Sequence, residues 1–308
     1  GPTNGRRQIA SSEWIVFRSK RIHAKFLRQL LVGDVFHAMF MNTVAGVGGS
    51  LLRARPAHVA KIKIPLPPLS EQQRIAEILD RAESLRRQRR GALALLDELT
   101  QSIFLDMFGN PIANDRNWPI GKLQDVCRVD RGKFTPRPRN DPSYYGGKFP
   151  FIQTGDISSC GGRLRAWTQT LNEKGVSVSR KFSPGTVVIA IVGATLGITA
   201  ILETEVYCPD SVVGIVPNEN KSTSEYIDRI LRWWRPIFVS QAPETARANI
   251  NLETLRPLCI PLAPFSIQQK YSKLVAEIEI LKAKQIRWLH QLDALFASLQ
   301  HRAFRGEL

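Results

Sequence analysis

The chain has 308 residues, 43% of them hydrophobic, four cysteines and a net charge of +16. That length holds roughly two compact domains. No apolar run approaches the roughly 20 residues of a membrane-spanning helix, and no signal-peptide pattern opens the sequence. Cys127, Cys160, Cys208 and Cys259 are far apart and form no CxxC pair, so they read as reduced thiols of a cytoplasmic protein. None of the five histidines sits i, i+4 from another, which argues against a metal site. The basic excess calls for a polyanionic partner.

Residues 1–63 carry 11 basic and 2 acidic side chains, a net +9. The chain then enters Ile64-Pro65-Leu66-Pro67-Pro68-Leu69-Ser70-Glu71-Gln72-Gln73, whose prolines forbid a helix before about Leu69. An apolar strand over Ile62–Leu66 is expected first. Ser70 then stands as the predicted N-cap, with Leu69 as a hydrophobic staple. Beyond it apolar residues recur at steps of three and four as far as Phe108, and Gly109 marks the stop. Ile75, Ala82, Leu96 and Ile103 fall on one heptad position; Ile78, Leu85, Ala92 and Leu99 fall on the other. A helix of about 37 residues is roughly 55 Å long. Residues 69–110 are nearly neutral, with 6 basic and 7 acidic side chains.

Residues 111–259 differ in kind and carry a net +5. Short β-branched and aromatic runs (150–153, 185–192, 198–202 and 212–216) are separated by Gly, Pro and Asn turns, which predicts mixed, β-rich structure. A helix is expected from Ser224 to Trp234. The loop Arg131-Gly132-Lys133-Phe134-Thr135-Pro136-Arg137-Pro138-Arg139 interleaves four cations with glycine and prolines and leads to Tyr144. Arg131, Lys133, Thr135, Arg137, Arg139 and Tyr144 are therefore candidates for phosphate and base-edge contacts. Thr154, Arg163 and Arg165 form a second candidate group, Arg247 and Asn249 a third. The lesser alternative for the first is a solvated basic loop, the second is a weaker signal alone, and the third could instead form a turn. Asp141-Pro142-Ser143-Tyr144 looks like the Asp-Pro-Pro-Tyr motif of amino-methyltransferases. It lacks the second proline, and no glycine-rich strand–loop–helix for S-adenosylmethionine accompanies it.

The lead-in then returns 196 positions on, as Ile260-Pro261-Leu262-Ala263-Pro264-Phe265-Ser266-Ile267-Gln268-Gln269, and runs without a gap to Phe304. Ser266 matches Ser70, and Gly306 follows as a stop. The matching heptad positions are Tyr271, Ile278, Leu292 and Leu299, and Leu274, Leu281, Trp288 and Leu295. Both stripes are broken at the same place, by Arg89 and by Gln285, a pair suited to fixing register. Two such helices bury their stripes most simply as an antiparallel, coiled-coil-like pair. The expected class is α+β: one or more mixed β-rich domains joined by two long spacer helices.

The first lead-in through Asp80 closely resembles the conserved spacer of type I restriction–modification specificity subunits. The second copy is a weaker match, with Ala263 for proline and Ile267 for glutamate. Gly132–Pro136, Tyr145-Gly146-Gly147, Ile152–Ile157, Pro184–Val188 and Gly193–Gly197 resemble that family's target recognition domain. The resemblance implies a non-catalytic subunit with no cofactor of its own, whose recognition domains each read half of a split double-stranded DNA site. It implies two methyltransferase subunits as partners, which bind S-adenosylmethionine, and a restriction–translocase subunit as an optional further one. It implies no membrane and a cytoplasmic setting in a bacterium or archaeon. The implied domains are a remnant of a first recognition domain (1–63), the first spacer (64–110), a full recognition domain (111–259) and the second spacer (260–308). In the remnant, Trp14–Phe17 parallels Val213–Val216, Phe26–Leu31 parallels Tyr226–Leu231, and Gly5-Arg6-Arg7 parallels Gly161-Gly162-Arg163. The strand block equivalent to 180–210 has no room between Ala10 and Trp14, which implies a truncated first domain or residues missing from the sequence. A stand-alone DNA-modifying enzyme and a helical protein-binding scaffold are the competing readings. Methyl transfer without a partner would favour the first; loss of DNA binding with the methyltransferase present would favour the second.

Overall fold

The computed structural model describes residues 14–17, 19–45, 53–241 and 250–308. Its contacts divide into two compact units, Gly1–Ala94 with Lys282–Leu308 and, separately, Leu95–Leu281. In chain order the first unit holds α1 (Ala24–Leu31), α2 (Asp34–Met41), the two-residue strands β1 (Val44–Ala45) and β2 (Arg53–Ala54), α3 (Pro56–Val59) and the start of α4 (Leu69–Phe108). Trp14–Phe17, expected to match a strand, lies outside any strand, and Gly5, Arg6 and Arg7 lie outside the described residues. Residues 62–68 are irregular rather than the strand expected over Ile62–Leu66. They join no sheet among the described residues, and their prolines could not donate to a ladder.

The helix begins earlier than Ser70. The Gln72 amide donates to the Pro68 carbonyl at 3.0 Å, so the first turn opens at Leu69 and Ser70 is already inside it. Pro68 lacks an N–H but keeps its carbonyl, which is all the residue before a helix must provide. The Gln268 amide does the same on Pro264 at 3.2 Å, and the last helix runs Phe265–Ala303.

Within the first unit the last helix packs antiparallel to α4. Arg74 donates to the Leu308 carbonyl, Arg86 pairs with Asp293, and Arg89 donates to Gln285 Oε1 at 2.8 Å. The two residues that interrupt the repeated stripes therefore bond to each other, and the Arg89 guanidinium also lies 4.6 Å from the Trp288 ring. Ile75, Ala76, Leu79 and Ala303 are buried there with Phe26 of α1.

The second unit takes its elements in order: β3 (Ile120–Lys122), α5 (Leu123–Val126), β4 (Cys127–Arg131), β5 (Tyr145–Phe151), α6 (Thr154–Ser159), β6 (Arg163–Leu164) and β7 (Gln169–Leu171). Then follow α7 (Glu173–Ser177), β8 (Arg180–Phe182), β9 (Val187–Ala190), β10 (Thr199–Leu202), β11 (Val206–Cys208), β12 (Val212–Pro217), α8 (Ser224–Ser240), α9 (Leu252–Leu255), β13 (Cys259–Pro261) and the start of α10 (Phe265–Ala303). Helix α8 extends beyond the predicted Trp234, through Pro236. One mixed sheet has the order β4-β12-β9-β10-β6 and a second β7-β5-β11-β8, while β13 pairs with β3. All four β9 residues are fully buried. Val187 and Ile189 join a core with α8, whereas Val188 and Ala190 join a core with Phe182, Val206 and Cys208 of the smaller sheet. Alternation with both faces apolar is why β9 reads as a continuous hydrophobic run. Gly214 of β12 is required by that layering, since a Cβ would lie 2.2 Å from the Phe182 ring.

Both spacer helices bury a different second stripe from the one expected. Ile75, Ala82, Tyr271 and Ile278 are buried, and Leu96, Ile103, Leu292 and Leu299 are half-buried. The other buried row is Leu79, Thr100 and Val275 rather than Ile78, Leu85, Leu99 and Leu274. Leu85, Leu99, Leu274, Leu281, Trp288 and Leu295 remain 40–50% exposed. Heptad counting places apolar side chains on two adjacent rows but does not say which flank of the first row faces the partner.

Candidate nucleic-acid interface

Strand β4 ends at Arg131, and the basic loop leaves it pressed against the turn between β11 and β12. Gly132 N–H donates to the Val212 carbonyl at 2.8 Å and Lys133 N–H to Cys208 at 2.9 Å. A Cβ at Gly132 would stand 2.1 Å from the Pro209 carbonyl oxygen, so only glycine permits this approach. The loop thus has a fixed root.

Its arginines converge on one turn residue, Asp210. Arg139 Nη2 lies 2.6 and 2.8 Å from the two carboxylate oxygens, and Arg137 Nη2 is 3.6 Å from Oδ2. Arg131 Nε donates to the Asp210 carbonyl at 2.6 Å. Arg137 Nη1 also donates to the Phe134 and Pro136 carbonyls at 3.1 and 2.7 Å. Lys133 and Thr135 are exposed, and Lys133 has no acidic side-chain partner among the described residues. The loop candidates are therefore brought together, with one free cation beside three tethered ones.

Tyr144 is half-buried on the edge of an aromatic cluster with Phe134, at a ring separation of 6.1 Å, and Lys174 Nζ lies 4.3 Å from its ring. The adjoining Asp141 accepts the Ser143 amide at 2.9 Å and begins a short 3-10 turn. That bond holds its carboxyl below the usual range. The methyltransferase-like tetrapeptide is thus a local turn.

The second candidate group divides. Thr154 opens α6, where buried Asp156 accepts the Gln153 amide at 2.7 Å and the Thr168 amide at 3.1 Å. Arg163 is mostly enclosed and bonds Glu203 at 2.9 Å and Glu225 at 2.8 Å. Burial works against its charge, yet those two bonds outweigh it and the pKa is raised. Arg163 joins β6 to α8, a structural pairing. Arg165 is exposed and 3.5 Å from Glu203. Arg247 and Asn249 lie outside the described residues. Sequence reasoning missed Asp210: a single acid after a proline between two strands looks like any turn.

Three comparisons bear on what such a surface serves. The family model described as the type I restriction modification DNA specificity domain matches residues 4–93 and 115–286. A solved chain from work on complex assembly and conformational transition of the type I R-M system superposes with a TM-score of 0.58 at 22% identity, covering 94% of this chain and 73% of that one. The S subunit of a type I restriction-modification system from M. genitalium superposes with a TM-score of 0.57 at 16% identity, covering 92% and 73%. At such identities the superpositions show a shared mixed α+β fold with long helices. The family model spans most of the sequence, including both spacers' lead-ins and the basic loop, and the chain belongs to the type I restriction modification DNA specificity family.

Proposed function

We propose that residues 111–259 form a recognition domain that reads one half of a bipartite DNA site through the basic loop around Asp210. Residues 64–110 and 260–308 serve as spacers, and residues 1–63 belong to a domain for the other half-site. The assembly works in the cytoplasm. The observation that carries the partner reading is the duplicated exposed stripe: Leu85 and Leu281 are equivalent across the repeat, as are Leu99 and Leu295. Trp288 and Leu295 stand exposed in the unit that contains Leu85; Leu99 and Leu274 stand exposed in the unit that contains Leu281. Each unit thus presents exposed apolar side chains on both of its spacer-helix segments, the kind of surface a partner covers. Two like patches suit two copies of one partner, the methyltransferase subunit, which would bring S-adenosylmethionine and the chemistry; a restriction–translocase subunit would join that core.

The experiment is reconstitution with the methyltransferase subunit. Leu85→Asp and Leu281→Asp, made singly, should each lower the stoichiometry from two copies to one, and together should abolish assembly. Full stoichiometry in the double variant would overturn the docking reading. In the same complexes, Lys133→Ala should weaken binding to DNA about two- to fivefold at moderate salt, since one phosphate contact contributes a slope of about −0.9.

A further inference from the structure

The basic loop carries more than charge: its guanidinium groups are already held in place before any DNA arrives. Arg139 uses a single nitrogen, Nη2, for both Asp210 oxygens, so Nε and Nη1 are left without a bond among the described residues. The carboxylate therefore clamps one corner of the fork, and Nη1 and Nε each keep an N–H that Asp210 does not use. Pairing with guanine O6 and N7 takes two donors side by side, here Nη1 with one N–H of Nη2, while Asp210 accepts from the other N–H of Nη2. Arg137 is tethered on both sides, by the Phe134 and Pro136 carbonyls and by Asp210. Arg131 is tied to the same turn through the Asp210 carbonyl. The turn itself is anchored by the Gly132 and Lys133 amides.

We infer that Asp210 is a specificity-determining positioning residue: it holds Arg139 and Arg137 for base-edge contact and keeps phosphates from capturing them. This rests on the reading of the basic loop as the DNA-contacting element. Two physical consequences follow from one carboxylate. Fixing the arginines lowers the rotameric freedom lost when they dock on a base edge. A negative charge among the guanidiniums also repels the backbone phosphates that any sequence offers, so non-specific binding is suppressed. Asp210 thus raises discrimination while lowering gross affinity.

Asp210→Asn tests this in the full chain assembled with its methyltransferase partner. The side chain keeps its size, and the backbone carbonyl that receives Arg131 is untouched. A randomised duplex pool is first selected with the unaltered protein to give an enriched duplex, and a scrambled duplex of the same composition serves as reference. Asp210→Asn should bind the scrambled duplex about three- to tenfold more tightly, with a salt slope steeper by about one to two phosphates. The enriched-to-scrambled ratio should fall by about tenfold. An unchanged ratio, or equal weakening on both duplexes, would reduce Asp210 to a structural role and overturn the inference. Arg139→Ala separates the two layers. If it leaves both affinities unchanged, the loop is not the DNA-contacting element; if it lowers the ratio while Asp210→Asn does not, the loop reading stands and only the role of Asp210 fails.

Discussion

The two junctions between a spacer and its neighbouring helix use the same backbone device and different side chains. In the second unit buried Gln268 accepts from the Thr223 amide at 3.0 Å and the Ser222 hydroxyl at 3.1 Å. It donates to the Ala263 carbonyl at 2.8 Å and more weakly to Lys221 at 3.4 Å. In the first unit buried Gln72 accepts from the His23 amide at 2.8 Å and donates to Pro67 at 2.8 Å and Arg21 at 3.2 Å. Both glutamines thus tie the proline lead-in to the residue before the head helix, His23 for α1 and Thr223 for α8. What surrounds them has diverged. The second junction is an aromatic box of Phe104, Phe108, Tyr226 and Tyr271, with the Tyr226 hydroxyl on the Pro261 carbonyl at 2.8 Å. The first has one aromatic pair, Phe26 with Phe304, and fills the rest with Ile75, Leu79 and ions: Lys25 and Arg28 of α1 meet Asp80 and Glu83 of α4. Backbone-directed bonds do not depend on which side chains line the joint. A clamp built from them lets the two joints drift apart in sequence while keeping the same attachment.

The largest effect that separates the two junctions should come from their aromatics. Phe108 and Phe304 are equivalent across the repeat, but Phe108 is buried among two tyrosines and a phenylalanine. Phe108→Ala should cost about 4 kcal/mol, within the usual range for a buried phenylalanine. Phe304→Ala, at a half-buried site, should cost about half as much by the same reasoning. Urea unfolding followed separately in each unit, by local amide exchange, would measure both. Equal losses would mean that the box adds nothing beyond the single pair.

The glutamines should come next, and here the junctions should behave alike. Gln268→Ala orphans the Thr223 amide and the Ala263 carbonyl, for a loss of about 2–3 kcal/mol. Gln72→Ala does the same to the His23 amide and Pro67 carbonyl and should lose about 2 kcal/mol. The neighbouring exposed Gln269 provides a control whose replacement should cost almost nothing. A near-zero cost at Gln72 alone would show that the first junction holds by ions and packing without its clamp.

Much of this architecture was legible in the repeat. The long helices, their prolines and the strands at 187–190, 199–202 and 212–217 follow from local pattern, and the register pair Arg89 and Gln285 follows from the repeat, which breaks both stripes at the same place. Three features were not. Ser70 and Ser266 looked like caps, since nothing local says that a proline carbonyl already starts the helix. The outward stripe of Leu85, Leu281 and Trp288 looked like core, because heptad spacing is blind to which flank a partner covers. Arg163 looked like an unpaired surface cation, because its partners Glu203 and Glu225 are distant in sequence. Its charge is spent inside the fold, while Lys133 keeps its own at the surface. In each case the missing information was a tertiary neighbour.

The smallest effect should come from the ions of the first junction, and it has a sign that the second junction lacks. The Arg28 guanidinium, bonded to Glu83 at 2.9 and 3.0 Å, holds that carboxyl below its ordinary value. A carboxyl depressed in the folded state stabilises above its unfolded pKa, and that contribution is lost as pH falls through the folded value. The first unit should therefore weaken below about pH 4.5 by less than about 1 kcal/mol, because Arg28 is half exposed and solvent screens the pair. Added salt should remove part of the same increment at neutral pH. Glu83→Gln should reduce both dependences in the first unit and leave the second unit's amide exchange unmoved. A second unit that weakened in step would show that the aromatic box, despite its composition, shares the electrostatics of its counterpart.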